Sequence, residues 1–205
     1  MSKTESTNNS KAVGLLGVIA ILYIFVTISI VLNAEEFNLR FFVSMFAYWG
    51  FLGLAVATIM TPFIKELYQK YGLKFLKIHH FFGISGLVFI TLHPVLLAFE
   101  AASLTVFLPN FESWRLFWLL GGRPALILIY VSLVGVFLRK KFDQWRGIHA
   151  LMYGALLLGY VHGAMIGTYF HTMTIGLTFT VLFLGVIVSF ILKRKASIAA
   201  QKGKE

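Results

Sequence analysis

The stretch Ile78-His79-His80-Phe81-Phe82-Gly83 runs on to Leu92-His93-Pro94 and decides the fold. Residues 78–99 contain no Asp, Glu, Lys or Arg, and the histidines at positions 79 and 93 are fourteen residues apart. A helix needs about 20 apolar residues to cross a bilayer, so this stretch predicts a transmembrane helix. Ionisable side chains inside a membrane are costly and usually functional, which makes the same helix the first candidate for a functional site.

A second apolar stretch also carries two histidines. It runs from Gly147-Ile148-His149 to Val161-His162-Gly163, and its histidines are thirteen residues apart. Histidine is a frequent axial ligand of haem iron. A histidine near each end of two membrane helices is the arrangement that two stacked haems require. The sequence therefore predicts a transmembrane haem protein that carries electrons across a membrane.

The composition supports a membrane protein and excludes several kinds of site. The 205 residues are 59% hydrophobic and only 13% charged, whereas a soluble domain carries about 25% charged residues. Cysteine is absent, which excludes disulfides, thiolate haem ligation, iron–sulfur clusters and cysteine-based zinc sites. The net charge of +10 does not indicate nucleic acid, because the basic residues form short runs between apolar segments, where membrane topology explains them.

Six apolar segments predict six membrane-spanning helices. The fourth is the least regular, because Gly121-Gly122 and Pro124 interrupt it and Arg123 lies in its first turns. The first is too long for the apolar core of a signal peptide, which has about 7–15 residues, so we expect an uncleaved anchor. Residues 1–10 are polar and are expected to be disordered. The predicted helices cover about residues 12–34, 41–64, 78–99, 117–138, 143–168 and 172–192.

The predicted fold is an all-α integral membrane protein, a six-transmembrane-helix bundle that binds haem between the third and fifth helices. Residues 1–11 form a cytoplasmic tail, residues 12–192 the membrane haem domain, and residues 193–205 a basic cytoplasmic tail. Basic residues set the orientation, because cytoplasmic loops carry more Lys and Arg. Only Arg40, Arg115 and Arg123 lie on one side, and the other fifteen Lys and Arg lie on the side that holds both termini. We therefore expect both termini in the cytoplasm of a cell that carries this protein in its plasma membrane.

With this orientation the third and fifth helices run in the same direction and their histidines fall into two layers. We call His79 and His149 the inner pair and His93 and His162 the outer pair. A rise of about 1.5 Å per residue separates the layers by roughly 20 Å. Fourteen residues nearly complete four turns, so His79 and His93 share a face, and His80 lies on the wrong face. Thirteen residues leave His149 and His162 roughly 140° apart on an ideal helix, which requires a distortion, with Gly154 and Gly159 as candidates, or a frayed start at His149.

Other residues are candidates for the haem surroundings. Arg123 lies inside a span and predicts an anionic partner, such as the propionates of an outer haem. Lys77 and Arg146 flank the inner pair and are candidate propionate partners, although the charge that fixes topology explains them equally well. Small residues let a porphyrin approach a helix, and they also serve ordinary helix packing. The glycines in question are Gly83, Gly86, Gly154 and Gly159.

At these residues the chain resembles the ferric reductase-like transmembrane family. That family includes ferric-chelate reductases, NADPH oxidases and the haem-bearing membrane subunit of bacterial methionine-sulfoxide reductase systems. The matching pattern is His79-x-x-x-Gly83 with His93, followed by His149 and His162-Gly163, within residues 40–190. The resemblance implies two haem b groups, with one iron between His79 and His149 and the other between His93 and His162.

The chain also departs from that family. Its reductases and oxidases usually continue into a flavin and NAD(P)H domain, but no Gly-rich dinucleotide motif occurs here. A flavin, if one takes part, would therefore lie on a partner protein. Leu97 stands where the oxidases tend to carry a polar residue, which argues against a dedicated superoxide producer. The match at His79 favours a two-haem ferric reductase-like protein over the methionine-sulfoxide subunit.

The leading hypothesis is electron transfer from a cytoplasmic donor protein or membrane quinol to an acceptor outside the cytoplasm. One alternative is a haem-binding membrane subunit that feeds a separate periplasmic or extracellular reductase. Another, of a different class, is a haem-free transporter or proton path that uses the membrane histidines as relay groups.

Overall fold

The computed structural model describes residues 3–63, Gln69 and residues 74–202, with side chains for 13–63, Gln69 and 76–199. Lys65, Lys70 and Lys204, which were counted in predicting the orientation, lie outside the described residues. Within them, all regular structure is helical. The α-helices are α1 (Lys3–Leu32), α2 (Leu39–Met60), α3 (Lys74–Ala101), α4 (Trp114–Leu119), α5 (Gly122–Phe137), α6 (Trp145–His149), α7 (Leu151–Ile166) and α8 (Met173–Lys202).

In the described part of the chain, six helical stretches are long and apolar enough to cross a membrane, which confirms the predicted number. They agree closely with the predicted segments in the middle of the chain. The terminal helices are longer than predicted. Helix α1 includes residues 3–10, which we expected to be disordered, and α8 continues to Lys202. The six stretches are Val13–Leu32, Leu39–Phe63, Leu76–Ala101, Gly122–Lys140, Trp145–Ile166 and Met173–Ala199.

One span starts later than predicted and another contains a break. The fourth begins only at Gly122, because the short helix α4 ends at Leu119 and a separate helix follows. The fifth is divided at Ala150, between α6 and α7. His149 is therefore the last residue of one helix and His162 belongs to the next. The distortion that the thirteen-residue spacing requires lies at Ala150, not at Gly154 or Gly159.

Helix α2 forms the centre of the bundle and packs most extensively on α3. Glycines allow this contact: a Cβ atom on Gly50 would lie 2.5 Å from the backbone nitrogen of Ile90, and one on Gly86 would lie 2.7 Å from that of Leu54. Only a residue without a side chain permits backbones to come so close. An ion pair of 2.9 Å between Arg40 and Glu100 joins the start of α2 to the end of α3.

The glycine contact predicts a stability effect. Gly50→Ala should force α2 and α3 apart and lower the free energy of unfolding by about 1–3 kcal/mol, the usual cost of overpacking. Gly17→Ala is the matched control, since a Cβ atom there meets nothing within 4 Å. Reversible unfolding in mixed micelles measures both variants. Equal stabilities for the two variants would contradict the close contact at Gly50.

A second helix pair, α5 and α7, lies beside the first pair. Helix α2 touches α7 and α8, and α8 also packs on α7, so these contacts hold the two pairs together. In contrast, the described residues of α3 and α7 hardly touch each other. These are two of the helices that carry the histidines, and the fold leaves a gap between them.

Candidate functional site

The structure brings the four histidines together as two pairs. His93 and His162 line one cavity between the helix pairs, and their rings lie within electrostatic range of each other. His79 and His149 are also close enough for their charges to interact. The pairing is the one that the sequence predicted. Their role as iron ligands remains a prediction.

The two histidines of α3 are both anchored on α2. Nδ1 of His79 lies 2.8 Å from the carbonyl oxygen of Ala57, and Nδ1 of His93 lies 2.9 Å from that of Val43. A carbonyl oxygen can only accept, so each Nδ1 carries the hydrogen and donates it. In a neutral imidazole the other nitrogen, Nε2, then keeps its lone pair.

The histidines of the second helix pair are anchored in the same way, on the segment α4–α5. Nδ1 of His162 donates to the carbonyl oxygen of Leu119 at 2.7 Å. Nδ1 of His149 lies 3.2 Å from the hydroxyl and 3.4 Å from the carbonyl oxygen of Ser132, a fully buried residue. The carbonyl contact is compatible with a donated Nδ1–H, as at the other three histidines.

The second ring nitrogen of each of the four histidines, Nε2, is unpaired within the described residues. The hydroxyl of Tyr153 is the single fully enclosed side-chain polar atom without a partner in the described part of the chain. The Nε2 atoms are therefore accessible. A histidine that binds a metal characteristically donates its other ring N–H to a carbonyl or carboxylate, which fixes the ring and raises its basicity.

The outer pair opens into a cavity with mostly apolar walls. Gly122, Gly159 and Pro94 are among the residues that line it, and Gly122 lies against the His162 ring. A flat apolar cofactor between two imidazoles needs such walls and small residues near the ligands. The rest of the lining includes Phe51, Leu54, Ile90, Leu97, Leu126, Ile129 and Phe179.

Two arginines line the same cavity. Arg123 is half-buried, lies within electrostatic range of His162, and donates from Nη1 to the carbonyl oxygen of Leu108 at 2.8 Å. Arg40 lies within range of His93. Sequence reasoning singled out Arg123 but used Arg40 only in the charge count. The available signal was its position just before Val43, the residue whose carbonyl holds His93.

The other candidates near the inner pair are more exposed. Lys77 and Arg146 both have exposed side chains, and the guanidinium of Arg146 lies 4.9 Å from the centre of the Trp145 ring. His80 is exposed, whereas His79 is half-buried and bonded to α2. The structure therefore agrees with the face assigned to His79. His171, in the loop before α8, is exposed as expected.

The four glycines proposed as porphyrin contacts differ. Gly86 packs against α2, so helix packing explains it. A Cβ atom on Gly83, one turn after His79, would meet nothing within 4 Å. Gly159 lines the outer cavity, and Gly154 leaves ordinary van der Waals space toward Leu128.

The donor set fits a haem better than a free metal ion. In the described residues, no group of three or more His, Asp or Glu side chains comes together. Two imidazoles alone do not satisfy zinc, which takes four ligands in structural sites. A porphyrin supplies four nitrogen ligands itself and needs only two axial ones. Paired histidines with fixed protonation and accessible Nε2 atoms match that requirement.

No protein-family model matches the chain, and no curated protein or solved structure matches it either. The resemblance to the ferric reductase-like family therefore rests on the histidine pattern alone and remains a prediction.

The site predicts a specific role for the absence of a side chain at Gly122. A Cβ atom there would lie 2.9 Å from both Cδ2 and Nε2 of His162. Gly122→Ala should therefore displace the His162 ring and, if the outer pair holds a haem as predicted, lower its occupancy several-fold. Gly17→Ala is the control, because a Cβ atom there would meet nothing within 4 Å. Haem content per chain measures the effect. Full occupancy in Gly122→Ala would show that the His162 ring does not need its present position.

Proposed function

We propose that this chain is a membrane electron conduit of the ferric reductase-like type, with two b-type haems stacked between its two helix pairs. The observation that carries the proposal is the common state of the four histidines. Each has a backbone carbonyl within reach of Nδ1, and each keeps Nε2 accessible. Histidines that serve only helix packing would not be expected to share this hydrogen-bonding pattern at four positions on the two helix pairs.

When bound, each haem would supply a redox centre that takes up and releases one electron. The residues of the chain hold and tune that centre. His79 and His149 hold the inner position, and His93 and His162 hold the outer one. With two histidines at each site, the iron would relay electrons and would have no free position for a substrate.

Charged residues have a separate role in the proposal. Arg123 places positive charge at the outer cavity, where anionic propionates would need partners inside a membrane, whereas Arg40 at the same cavity is already paired with Glu100. Lys77 and Arg146 are the corresponding candidates at the inner end. The apolar walls exclude water and so leave the histidines and arginines as the groups that set the local electrostatics.

The proposal includes a direction. We infer that both termini lie in the cytoplasm, because the basic residues concentrate on that side. The donor is then a cytoplasmic protein or a membrane quinol, and the acceptor, with ferric iron as one candidate, lies outside the cytoplasm. A membrane subunit that feeds a separate extracytoplasmic reductase uses the same conduit and differs only in its acceptor.

The direction has its own prediction. A protease-sensitive tag placed after Glu205 should be protected from external protease in intact cells, and the same tag inserted in the loop of residues 102–113 should be cut. The control is permeabilised cells, in which both tags should be cut. Cleavage of the C-terminal tag in intact cells would reverse the electron path.

The function is tested directly in liposomes. The purified chain is reconstituted into vesicles that contain trapped ferricyanide, and dithionite is added outside. We expect the trapped ferricyanide to be reduced much faster than in vesicles without protein, in either orientation of the chain. Equal rates would exclude a conduit. A chain that binds no haem yet moves protons in the same vesicles would favour the haem-free proton path.

A further inference from the structure

The carbonyl groups that hold His79 and His162 share an unusual origin. Inside a helix, the carbonyl of one residue normally accepts from the N–H four residues later. Ala57 should accept from Thr61, but the N–H of Thr61 donates to Thr58 instead. Leu119 is the last residue of α4, and the N–H of Arg123, four residues later, donates to the carbonyl of Leu120 at 3.0 Å. The N–H that lies four residues after each of these carbonyls therefore bonds to a different carbonyl.

A proline follows the displaced N–H in both places. Pro62 follows Thr61 and Pro124 follows Arg123. Proline has no N–H, so it cannot bond the carbonyl four residues earlier, which is that of Thr58 or of Leu120. The N–H of the residue before the proline takes that carbonyl in a tighter turn. The next carbonyl back, five residues before the proline, is then left for a side chain.

We infer that Pro62 and Pro124 are positioning residues, each of which releases one backbone carbonyl to fix a histidine: Ala57 for His79 and Leu119 for His162. The inference rests on the proposed function for its purpose, since fixed Nδ1–H groups leave Nε2 ready for iron. The two bonds are the shortest of the four, at 2.8 Å and 2.7 Å.

His93 and His149 show what happens without this device. His93 bonds to Val43, which lies inside the uninterrupted helix α2, at 2.9 Å, and His149 lies 3.4 Å from the carbonyl of Ser132. Each proposed site therefore combines one histidine whose carbonyl partner lies five residues before a proline with one whose carbonyl partner has no such proline. Thr61 Oγ1 also reaches the Ala57 carbonyl, at 3.3 Å, but this leaves the second lone pair to His79.

The test replaces one proline at a time. In Pro62→Ala the restored N–H at position 62 should bond Thr58, and the N–H of Thr61 should then compete with His79 for Ala57. Pro124→Ala should act in the same way on His162. Pro109→Ala, in the loop between α3 and α4, is the control, because it frees no carbonyl that a histidine uses.

The first readout is hydrogen exchange at the imidazole Nδ1 groups, followed by ¹⁵N NMR of histidine-labelled chain in micelles in the reduced, diamagnetic state. Loss of a typical hydrogen bond should speed exchange about fivefold. We expect this at His79 alone in Pro62→Ala and at His162 alone in Pro124→Ala. No change at these rings, or an equal change at all four, would overturn the inference. Loss of folded protein in both variants would also overturn the inference, because it gives the prolines no part in holding the helices together.

The second readout is the midpoint potential of each haem. A donated Nδ1–H makes the imidazole a stronger ligand and favours oxidised iron. The potential of the inner haem should therefore rise in Pro62→Ala and that of the outer haem in Pro124→Ala. The exchange measurement does not depend on haem. A chain without haem that still shows selective exchange would refute the electron conduit and leave the carbonyl device standing.

Discussion

His93→Ala is expected to lower the haem content from two to one per chain and to abolish electron transfer to an outer acceptor. His93 and His162 line the same cavity, and an alanine leaves His162 without its axial counterpart. The inner pair keeps both ligands, so the remaining haem should still be reducible from the cytoplasmic side. Haem quantitation and the vesicle assay measure the two effects on the same preparation.

Matched controls exist for both layers. His171→Ala removes an exposed loop histidine, and His80→Ala removes the exposed neighbour of His79. Both should retain two haems, whereas His79→Ala should lose the inner one. Loss of a haem from His80→Ala with retention in His79→Ala would mean that the face assigned on α3 is wrong.

Double substitution separates the layered arrangement from any other pairing. His93→Ala with His162→Ala should be little worse than either substitution alone, because both belong to one site and their effects are not additive. His93→Ala with His149→Ala should damage both sites and leave no bis-histidine haem. A cofactor that bridged unequal depths would bring its charged propionates into hydrocarbon, where charge is expensive.

Haem stoichiometry and dithionite-reduced spectra of the double variants measure this prediction. The combination His79→Ala with His149→Ala serves as the counterpart at the inner layer and should retain the outer haem. One intact bis-histidine haem in the chain that lacks His93 and His149 would contradict the layers.

Much of the fold and the pairing of the histidines followed from local sequence. Apolar length gives the six spans because a bilayer demands it. The fourteen-residue spacing gives the shared face of His79 and His93 because an undistorted helix has a fixed twist. Helix α3 has no break between these residues, although Pro94 lies inside it. The structure accordingly places both histidines against α2.

The remaining features depend on contacts that periodicity does not contain. The helix breaks at Ala150, which is neither glycine nor proline, so the sequence predicted the distortion at Gly154 or Gly159 instead. Arg40 reaches the outer cavity because α2 starts beside the end of α3, a tertiary fact secured by its ion pair with Glu100. The carbonyls of Ala57 and Leu119 can hold an imidazole ring only because the fold places a histidine from another helix next to them.

The central claim is that two haems lie between paired histidines, and the most direct test is the haem content of the unmodified chain. The protein should be expressed in haem-replete cells, purified in detergent, and measured for haem per chain together with its reduced spectrum. We expect two haems per chain with the sharp absorption bands of bis-histidine ligation in the reduced state. A chain purified without stoichiometric haem would contradict the account.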